Sequence, residues 1–361
     1  MSEPKLTAEA VRAAIENLPD PETGRPLGSM GQIGDIHVRQ QHADIRLGLS
    51  THSLPIAEDV KEQVASAVAS RLPGTTVEVQ VHPHARPPAR SGQAGVRIKT
   101  ILAVGSGKGG VGKSTVAASL ALTLERLGAR VGLMDADVYG PSVPHLLGLK
   151  GRPTLEANKR IQPIRCGQMP VMSMGFLIEP DQAVIWRGPM LHQSITQFLT
   201  ETDWGELDYL VIDMPPGTGD VALTLSQGAV PIAGAVVVCT PQEVALLDAV
   251  KAISMFGTVK IPVAGMVENM SGFVCPDCNR RYDIFGAGGA RAKAEELDVP
   301  FLGEVPIDPV LREAGDAGEL AAVIRDDARA RAPMEKVARS LIRSLAQKAA
   351  ASPPKPQLPT L

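Results

Sequence analysis

Apolar positions along the first 82 residues change period several times. Ala8, Val11, Ile15 and Leu18 recur at three- and four-residue steps, as one face of a helix does, until Asp20-Pro21-Glu22 breaks the run. Ile36 and Val38, then Ile45, Leu47 and Leu49, alternate with other residues and predict two strands. Ile56, Val60, Val64, Val68 and Leu72 return to helical spacing, and Val77, Val79 and Val81 to alternation. The order α-β-β-α-β predicts a small two-layer α+β domain over residues 1–82.

From Thr100 the pattern is different. Short unbroken runs of Val, Ile and Leu at 101–104, 131–134, 209–212, 235–239 and 263–267 read as strands covered on both faces. Helical patterns at 114–127, 219–229 and 242–256 separate several of them. This βα alternation predicts an α/β fold with a doubly wound, mostly parallel sheet. Met334, Val337, Leu341, Ile342 and Leu345 form a last helical stripe, so the larger domain is expected to span residues 99–349. Residues 83–98, rich in Pro, Arg and Gly, read as a flexible linker whose Arg86, Arg90 and Arg97 are solvated. Prolines from Ser352 onward predict a disordered tail at 350–361.

Composition narrows the partners. A net charge of −3, spread along the chain, gives no basic face for nucleic acid or an anionic membrane. The apolar stretch Val230–Cys239 is too short and too glycine-broken to span a bilayer, and the N-terminus does not read as a signal peptide. The expectation is a cytoplasmic protein that binds neither nucleic acid nor membrane.

The chemistry is concentrated after the first of these strands. Gly107-Lys108-Gly109-Gly110-Val111-Gly112-Lys113-Ser114 follows Ile101–Val104 and precedes a helix-compatible run, the context a phosphate-binding loop requires. Glycines let backbone N–H groups turn in around phosphate oxygens, and the helix N-terminus adds partial positive charge. Lys113 is expected to reach the β- and γ-phosphates of ATP, and Ser114 to ligate Mg²⁺; Thr115 is counted with the nucleotide contacts. Tyr209–Ile212 ends in Asp213, placed to hold the Mg²⁺ shell through water, and Gly217 in the following loop has an N–H able to sense the γ-phosphate. Val131–Met134 ends in Asp135 and Asp137, two carboxylates able to orient an attacking water. A phosphate loop needs one lysine. Lys108 is therefore either a plain exposed charge or a group that reaches the nucleotide of a second subunit, as an arginine finger does.

Four cysteines are too few for a disulfide framework. Cys239 sits in the apolar run Val236–Val238 and reads as packing, and Cys166 as inert. Cys275-Pro276-Asp277-Cys278 falls on a loop after the run at 263–267. Two thiolates at this spacing grip one side of a metal ion or cluster, and zinc or [4Fe–4S] normally takes four. Two chains giving one pair each complete the set most simply. A redox pair is the alternative, although Asn279-Arg280-Arg281-Tyr282 does not continue as the helix that such pairs open. Ligand type alone does not separate zinc from iron–sulfur.

The loop 107–114 resembles the deviant phosphate loop of the MinD, ParA and nitrogenase iron protein group. Within that group, Asp135–Ser142, Asp213–Asp220, Thr240-Pro241-Gln242-Glu243, Glu268-Asn269-Met270 and Cys275–Cys278 are similar, in the same order, to the Mrp/ApbC iron–sulfur cluster carriers. The resemblance covers about residues 99–349. It implies an ATPase that binds a [4Fe–4S] cluster between the two subunits of a homodimer, takes it from assembly scaffold proteins and passes it to apoproteins. It further implies that Lys108 acts across the dimer, that Asp137 lies near the attacking water and that Asn269 contacts adenine. The alternatives are a positioning ATPase of the MinD/ParA kind, whose membrane-targeting amphipathic C-terminus the proline-bearing tail Ser352–Leu361 cannot form, and a zinc-bridged dimeric ATPase. Residues 1–82 resemble the small iron–sulfur assembly domain often fused ahead of such ATPases. A reactive cysteine often follows the second strand there; Leu49–Pro55 has none, which makes docking or regulation the expected role.

Overall fold

A computed structural model describes residues 6–89, 95–156, 160–177, 188–217, 219–228 and 230–351. Residues 90–94 of the expected linker, Thr218 in the loop after Asp213, and the tail from Ser352 lie outside the described residues. The chain packs as two compact units, residues up to Arg86 together with those from Ile342 onward, and Pro87–Leu341. The expected boundaries 1–82, 83–98 and 99–349 differ from this at both ends of the larger domain: the linker stretch divides between the units at Arg86, and the last turns of the final helix group with the first unit.

The first unit has the expected order: α1 (Ala8–Ile15), β1 (Ile33–Arg39), β2 (His42–Leu49), α2 (Ala57–Arg71) and β3 (Thr76–Pro83). Thr7 starts α1 by accepting the Ala10 N–H on its hydroxyl. β1 and β2 are antiparallel, whereas β2 and β3 are parallel and α2 supplies the crossover that parallel neighbours need. Val11, Ile15, Ile45, Leu47, Val64 and Val68 are fully buried between the layers. Asp20 is buried as well, accepting hydrogen bonds from the Thr23 N–H and hydroxyl, the Gln32 amide and the Arg86 guanidinium. Arg86 is therefore not a solvated linker residue. It lies 2.6 Å from Asp20 and 3.5 Å from Glu22, because a buried carboxylate needs a counter-charge. Arg343, in the same unit, pairs with Asp59 at 2.7 Å.

The second unit runs β4 (Arg97–Gly105), α3 (Lys113–Arg126), β5 (Val131–Asp135) and α4 (Val143–Leu146), then the ribbon β6 (Thr154–Leu155) and β7 (Ile161–Gln162). β8 (Ile164–Cys166), β9 (Met169–Ser173), α5 (Gly188–Glu201), β10 (Glu206–Asp213), α6 (Asp220–Gln227), β11 (Gly234–Cys239) and α7 (Glu243–Thr258) follow. The rest is β12 (Val263–Val274), β13 (Arg281–Tyr282), α8 (Gly289–Glu296), β14 (Phe301–Ile307), α9 (Pro309–Ala317), α10 (Leu320–Asp326) and α11 (Ala328–Ala351). The main sheet has the order β13-β12-β11-β4-β10-β5-β9-β8, with β14 also on β12. Among the described residues, only β8 and β13 run antiparallel to their neighbours in this sheet.

β4 lies at the centre, between β10 and β11, so its C-terminal end opens on the crevice where an open α/β sheet binds ligands. β12 is longer than expected. Glu268, Asn269 and Ser271 interrupt its apolar pattern, yet the strand continues to Val274 and delivers the chain to Cys275. No helix among the described residues is long and apolar enough to cross a membrane.

Candidate functional site

The loop 107–112 leaves β4 and closes at Gly112, which caps α3 in the left-handed region at φ 78°. Two of its glycines are sterically required. A Cβ on Gly107 would overlap the Asp248 carbonyl of α7, and one on Gly112 would run into the Asn269 amide. Asn269 Nδ2 donates to the Val111 carbonyl at 2.8 Å, tying β12 directly to the loop. Ser106 Oγ donates to the Lys108 carbonyl at 2.9 Å.

Lys113 is buried, and its Nζ lies 2.5 Å from Asp213 Oδ1, 3.1 Å from Ser114 Oγ and 3.5 Å from Asp137 Oδ2. Asp213 and Asp135 face one another as register partners at the tips of β10 and β5. Burial pushes Asp213 up, and the Lys113 ammonium pulls against it. Asp135 is pushed up to about 7, first by burial and then by the charge of Asp213. It accepts hydrogen bonds from the Asp137 N–H, the Val143 N–H and the Ser173 hydroxyl, so its carboxylate organises the loop that presents Asp137. Asp213 Oδ2 is buried with no hydrogen-bond partner among the described residues. A buried oxygen of this kind beside the Ser114 hydroxyl fits the hydration shell of Mg²⁺, a hard cation that keeps its waters.

The Gly217 N–H, expected to face a γ-phosphate, donates instead to the Ser106 carbonyl at 2.8 Å. Adjacent peptide groups of the two loops satisfy each other here, which spacing in the sequence does not reveal.

Two cavities meet at Gly112 and Thr115. One, of about 250 Å³, is lined by Lys108, Gly109, Gly110, Lys113, Ser114 and Asp137, a polar cradle of phosphate character. The other, of about 440 Å³, is mostly apolar and includes Asn269, Met270, Phe285, Pro306 and Asp308. Its volume and walls suit a purine and its sugar. Asn269 Nδ2 is engaged by Val111, which leaves Oδ1 as the acceptor that this side chain offers the cavity.

Cys275 and Cys278 lie on the turn between β12 and β13. Cys275 N–H donates to the Arg280 carbonyl at 3.0 Å and Asn279 N–H to the Cys275 carbonyl at 2.9 Å, with Asn279 at φ 55° completing the reversal. Cys278 is exposed and Cys275 partly so. The N–H groups of Cys278 and Asp277 hold the Cys275 thiol below its ordinary value, an environment that favours thiolate. Among the described residues, no third Cys, His, Asp or Glu joins them to make a three-donor cluster. Cys239 is buried, and burial pushes its thiol up to about 12; Cys166 is buried, and burial raises it too. Neither belongs to the exposed pair.

Residues 97–342 match the family model of the NUBPL iron-transfer P-loop NTPases, and residues 8–81 that of the iron-sulfur cluster assembly proteins. The chain belongs to the NUBPL iron-transfer P-loop NTPase family. An iron-sulfur cluster carrier protein of Deinococcus radiodurans is 44% identical over 98% of this chain and 99% of its own length. The iron-sulfur cluster transfer protein NUBPL of Mus musculus is 50% identical over 61% of this chain and 70% of its own. A nucleotide-binding protein of Archaeoglobus fulgidus, solved in complex with ADP, superposes with a TM-score of 0.55 at 43% identity, covering 62% of this chain and 88% of that one.

Several members of the site in this family protein were not singled out by sequence reasoning. Phe285 and Asp308 wall the larger cavity from loops and Pro306 from β14, none of them within a motif. Glu268, quoted in the motif Glu268-Asn269-Met270 but given no role there, is a fully buried carboxylate whose oxygens accept the Gly288 and Ala290 N–H groups at the start of α8 and the Ser271 hydroxyl. A charged residue inside an otherwise apolar strand was the available signal.

Proposed function

We propose that this chain is an ATP-dependent iron–sulfur cluster carrier in which two copies hold one [4Fe–4S] cluster between their Cys275–Cys278 pairs and release it to apoproteins. The observation that carries this reading is the cysteine turn itself: two accessible thiols, one tuned toward thiolate, with half of a four-sulfur set. Cluster iron held by such sulfurs is cargo, so a rim position serves both loading and delivery. Cys239 and Cys166, in the core, do not serve that purpose.

Nucleotide work falls to the P-loop. Lys113 exchanges its contact with Asp213 for the β- and γ-phosphates; Ser114, and Asp213 through water, would hold Mg²⁺, whose charge would offset that of the phosphates. Asp137, across the smaller cavity, positions the attacking water. Lys108 reaches the nucleotide of the second subunit and offsets charge that develops in phosphoryl transfer. Asn269 presents its Oδ1 to the adenine amino group. The first unit, which carries none of the cysteines, docks scaffold or recipient proteins.

Anaerobic reconstitution with iron and sulfide tests the cargo. The expected product is a brown dimer with about two irons per chain, as one shared cubane requires. A colourless dimer that takes up zinc and no iron would support a zinc-bridged ATPase instead. Cys275→Ala that takes up as much iron as the parent chain would sink the bridging site.

A further inference from the structure

The cysteine turn is held by little backbone. β13 pairs with β12 through only two residue pairs, Phe273 with Tyr282 and Val274 with Arg281. A ladder that short does not fix a hairpin in water, so side chains must do it. Arg281 is placed to do so: its Nε donates to Asp283 Oδ1 at 2.7 Å, and its Nη2 lies 3.3 Å from Glu304 Oε2 and 3.4 Å from Ser271 Oγ. Ser271 passes the contact inward, donating to Glu268 at 2.7 Å. Glu268 immediately precedes Asn269, which bonds the Val111 carbonyl of the P-loop.

A second observation shows that space is reserved for this guanidinium. Gly272 takes φ 74°, and a Cβ there would come within 2.8 Å of Arg281 Nε and 2.9 Å of Asp283 Oδ1. Met270, a residue with a Cβ, is also held at positive φ, 56°. The register of β12 against β14 breaks between Asn269 and Phe273. The segment joining nucleotide cavity to cysteines is thus a bent, strained stretch rather than regular strand. Met270 on the bend and Phe285, two residues beyond Asp283, both line the larger cavity. One short piece of chain therefore touches the base pocket at one end and carries the thiols at the other.

We propose that Arg281 is a positioning residue that clamps the cysteine turn to the bend at Met270–Gly272, so that nucleotide occupancy sets how firmly the Cys275–Cys278 pair holds its cluster. The proposal rests on the carrier reading above. A base entering beside Asn269 and Met270 shifts the bend, and the Arg281–Ser271–Glu268 contacts pass that shift to β13 and the thiols. Without the guanidinium the turn keeps only its two ladder pairs and its internal Cys275–Arg280 and Asn279–Cys275 backbone hydrogen bonds, and no longer follows the bend.

The test uses full-length chain reconstituted anaerobically, and follows loss of the brown chromophore to an iron chelator with and without ATP and Mg²⁺. The parent chain is expected to lose iron at rates that differ several-fold between the two conditions. Arg281→Ala is expected to load a cluster but lose iron at one rate in both, with Arg281→Lys restoring part of the difference. Far-ultraviolet circular dichroism and the thermal midpoint check folding. If Arg281→Ala does not fold, Gly272→Ala displaces the same guanidinium and takes its place. Equal nucleotide dependence in parent and variant, or none in the parent, overturns the coupling while leaving the carrier reading intact. Failure of the parent to take up any cluster removes the carrier reading itself and this inference with it.

Discussion

Replacing Lys113 with methionine isolates the electrostatics of the P-loop before any nucleotide arrives. Methionine keeps most of the stem volume and removes the ammonium that lies 2.5 Å from Asp213. Asp213 then stands as a buried carboxylate with neither oxygen compensated by charge, and its Oδ2 already lacks a hydrogen bond. Removing one partner of a buried pair costs about 3–5 kcal/mol. The carboxylate can escape part of that cost by taking a proton. Burial already pushes Asp213 up, and loss of Lys113 pushes it further. A group raised in the folded state binds a proton that the unfolded chain has released. Stability therefore falls as pH rises from the ordinary carboxylate value to the raised one, by up to about 1.4 kcal/mol per pH unit. The assay is thermal unfolding of nucleotide-free protein in a chelator, at a lower pH near the ordinary carboxylate value, about pH 4.5, and at an upper pH of about 8.5. At the upper pH the midpoint should fall by roughly 6–20 °C, taking about 2–4 °C per kcal/mol for a domain of this size. At the lower pH the loss should shrink. Adding Asp213→Asn should recover much of it, because the orphaned charge is gone. A Lys113→Met chain that melts within about 2 °C of the parent at the upper pH, less than 1 kcal/mol by the same scale, would refute the buried-pair reasoning. So would a double variant no better than the single one.

Asn269→Ala strands the buried Val111 carbonyl and removes an acceptor from the wall of the larger cavity; if that cavity takes the base as proposed, ATP affinity should drop by about 1–3 kcal/mol, roughly 5- to 150-fold, in a fluorescent-nucleotide titration, with GTP affected less. Asp135, pushed up to about 7, binds a proton in the folded state that the unfolded chain has lost, so nucleotide-free protein should lose stability as pH rises from about 4 to about 7 and level off above, read as the unfolding midpoint across pH. Asp20 has the opposite sign. Burial would raise it, but hydrogen bonds from Thr23, Arg86 and Gln32 overrule burial and hold its carboxyl below the ordinary value. The stability it supplies is present above that value and is lost on acidification; Asp20→Ala should cost the first unit about 3–5 kcal/mol at neutral pH, measured by denaturant unfolding, and flatten its acid sensitivity.

What could be read from the chain and what could not divide along physical lines. Strands β4, β5, β10 and β11 each carry an unbroken apolar run, at 101–104, 131–134, 209–212 and 235–239, because that part of a parallel strand is buried on both faces. The P-loop was legible because its glycines answer to backbone geometry, which tolerates few substitutes. β14 went unseen: Gly303 and Pro306 punctuate Phe301–Ile307 as a turn would, and only its pairing with β12 makes it a strand. The extension of β12 was hidden for the opposite reason. Glu268, Asn269 and Ser271 look like a loop until α8, the P-loop and Arg281 supply their hydrogen bonds. Arg86 was read as solvated because its partner Asp20 lies 66 positions away.

On the proposed function, the hidden part of β12 is also where the two halves of the chemistry meet. Asn269 and Cys275 are six residues apart, at most roughly 20 Å of extended chain. A nucleotide site and a cargo site that close could have been insulated by a regular strand, whose ladder leaves no soft degree of freedom. The chain instead places a left-handed methionine and a left-handed glycine between them, and charged contacts hold the bend from both sides. Strain kept in place by surrounding contacts is the arrangement expected of an element with more than one setting. Proximity alone would make the two sites neighbours. The bend gives a reason for them to communicate, and it puts the residues that decide the matter outside both recognised motifs.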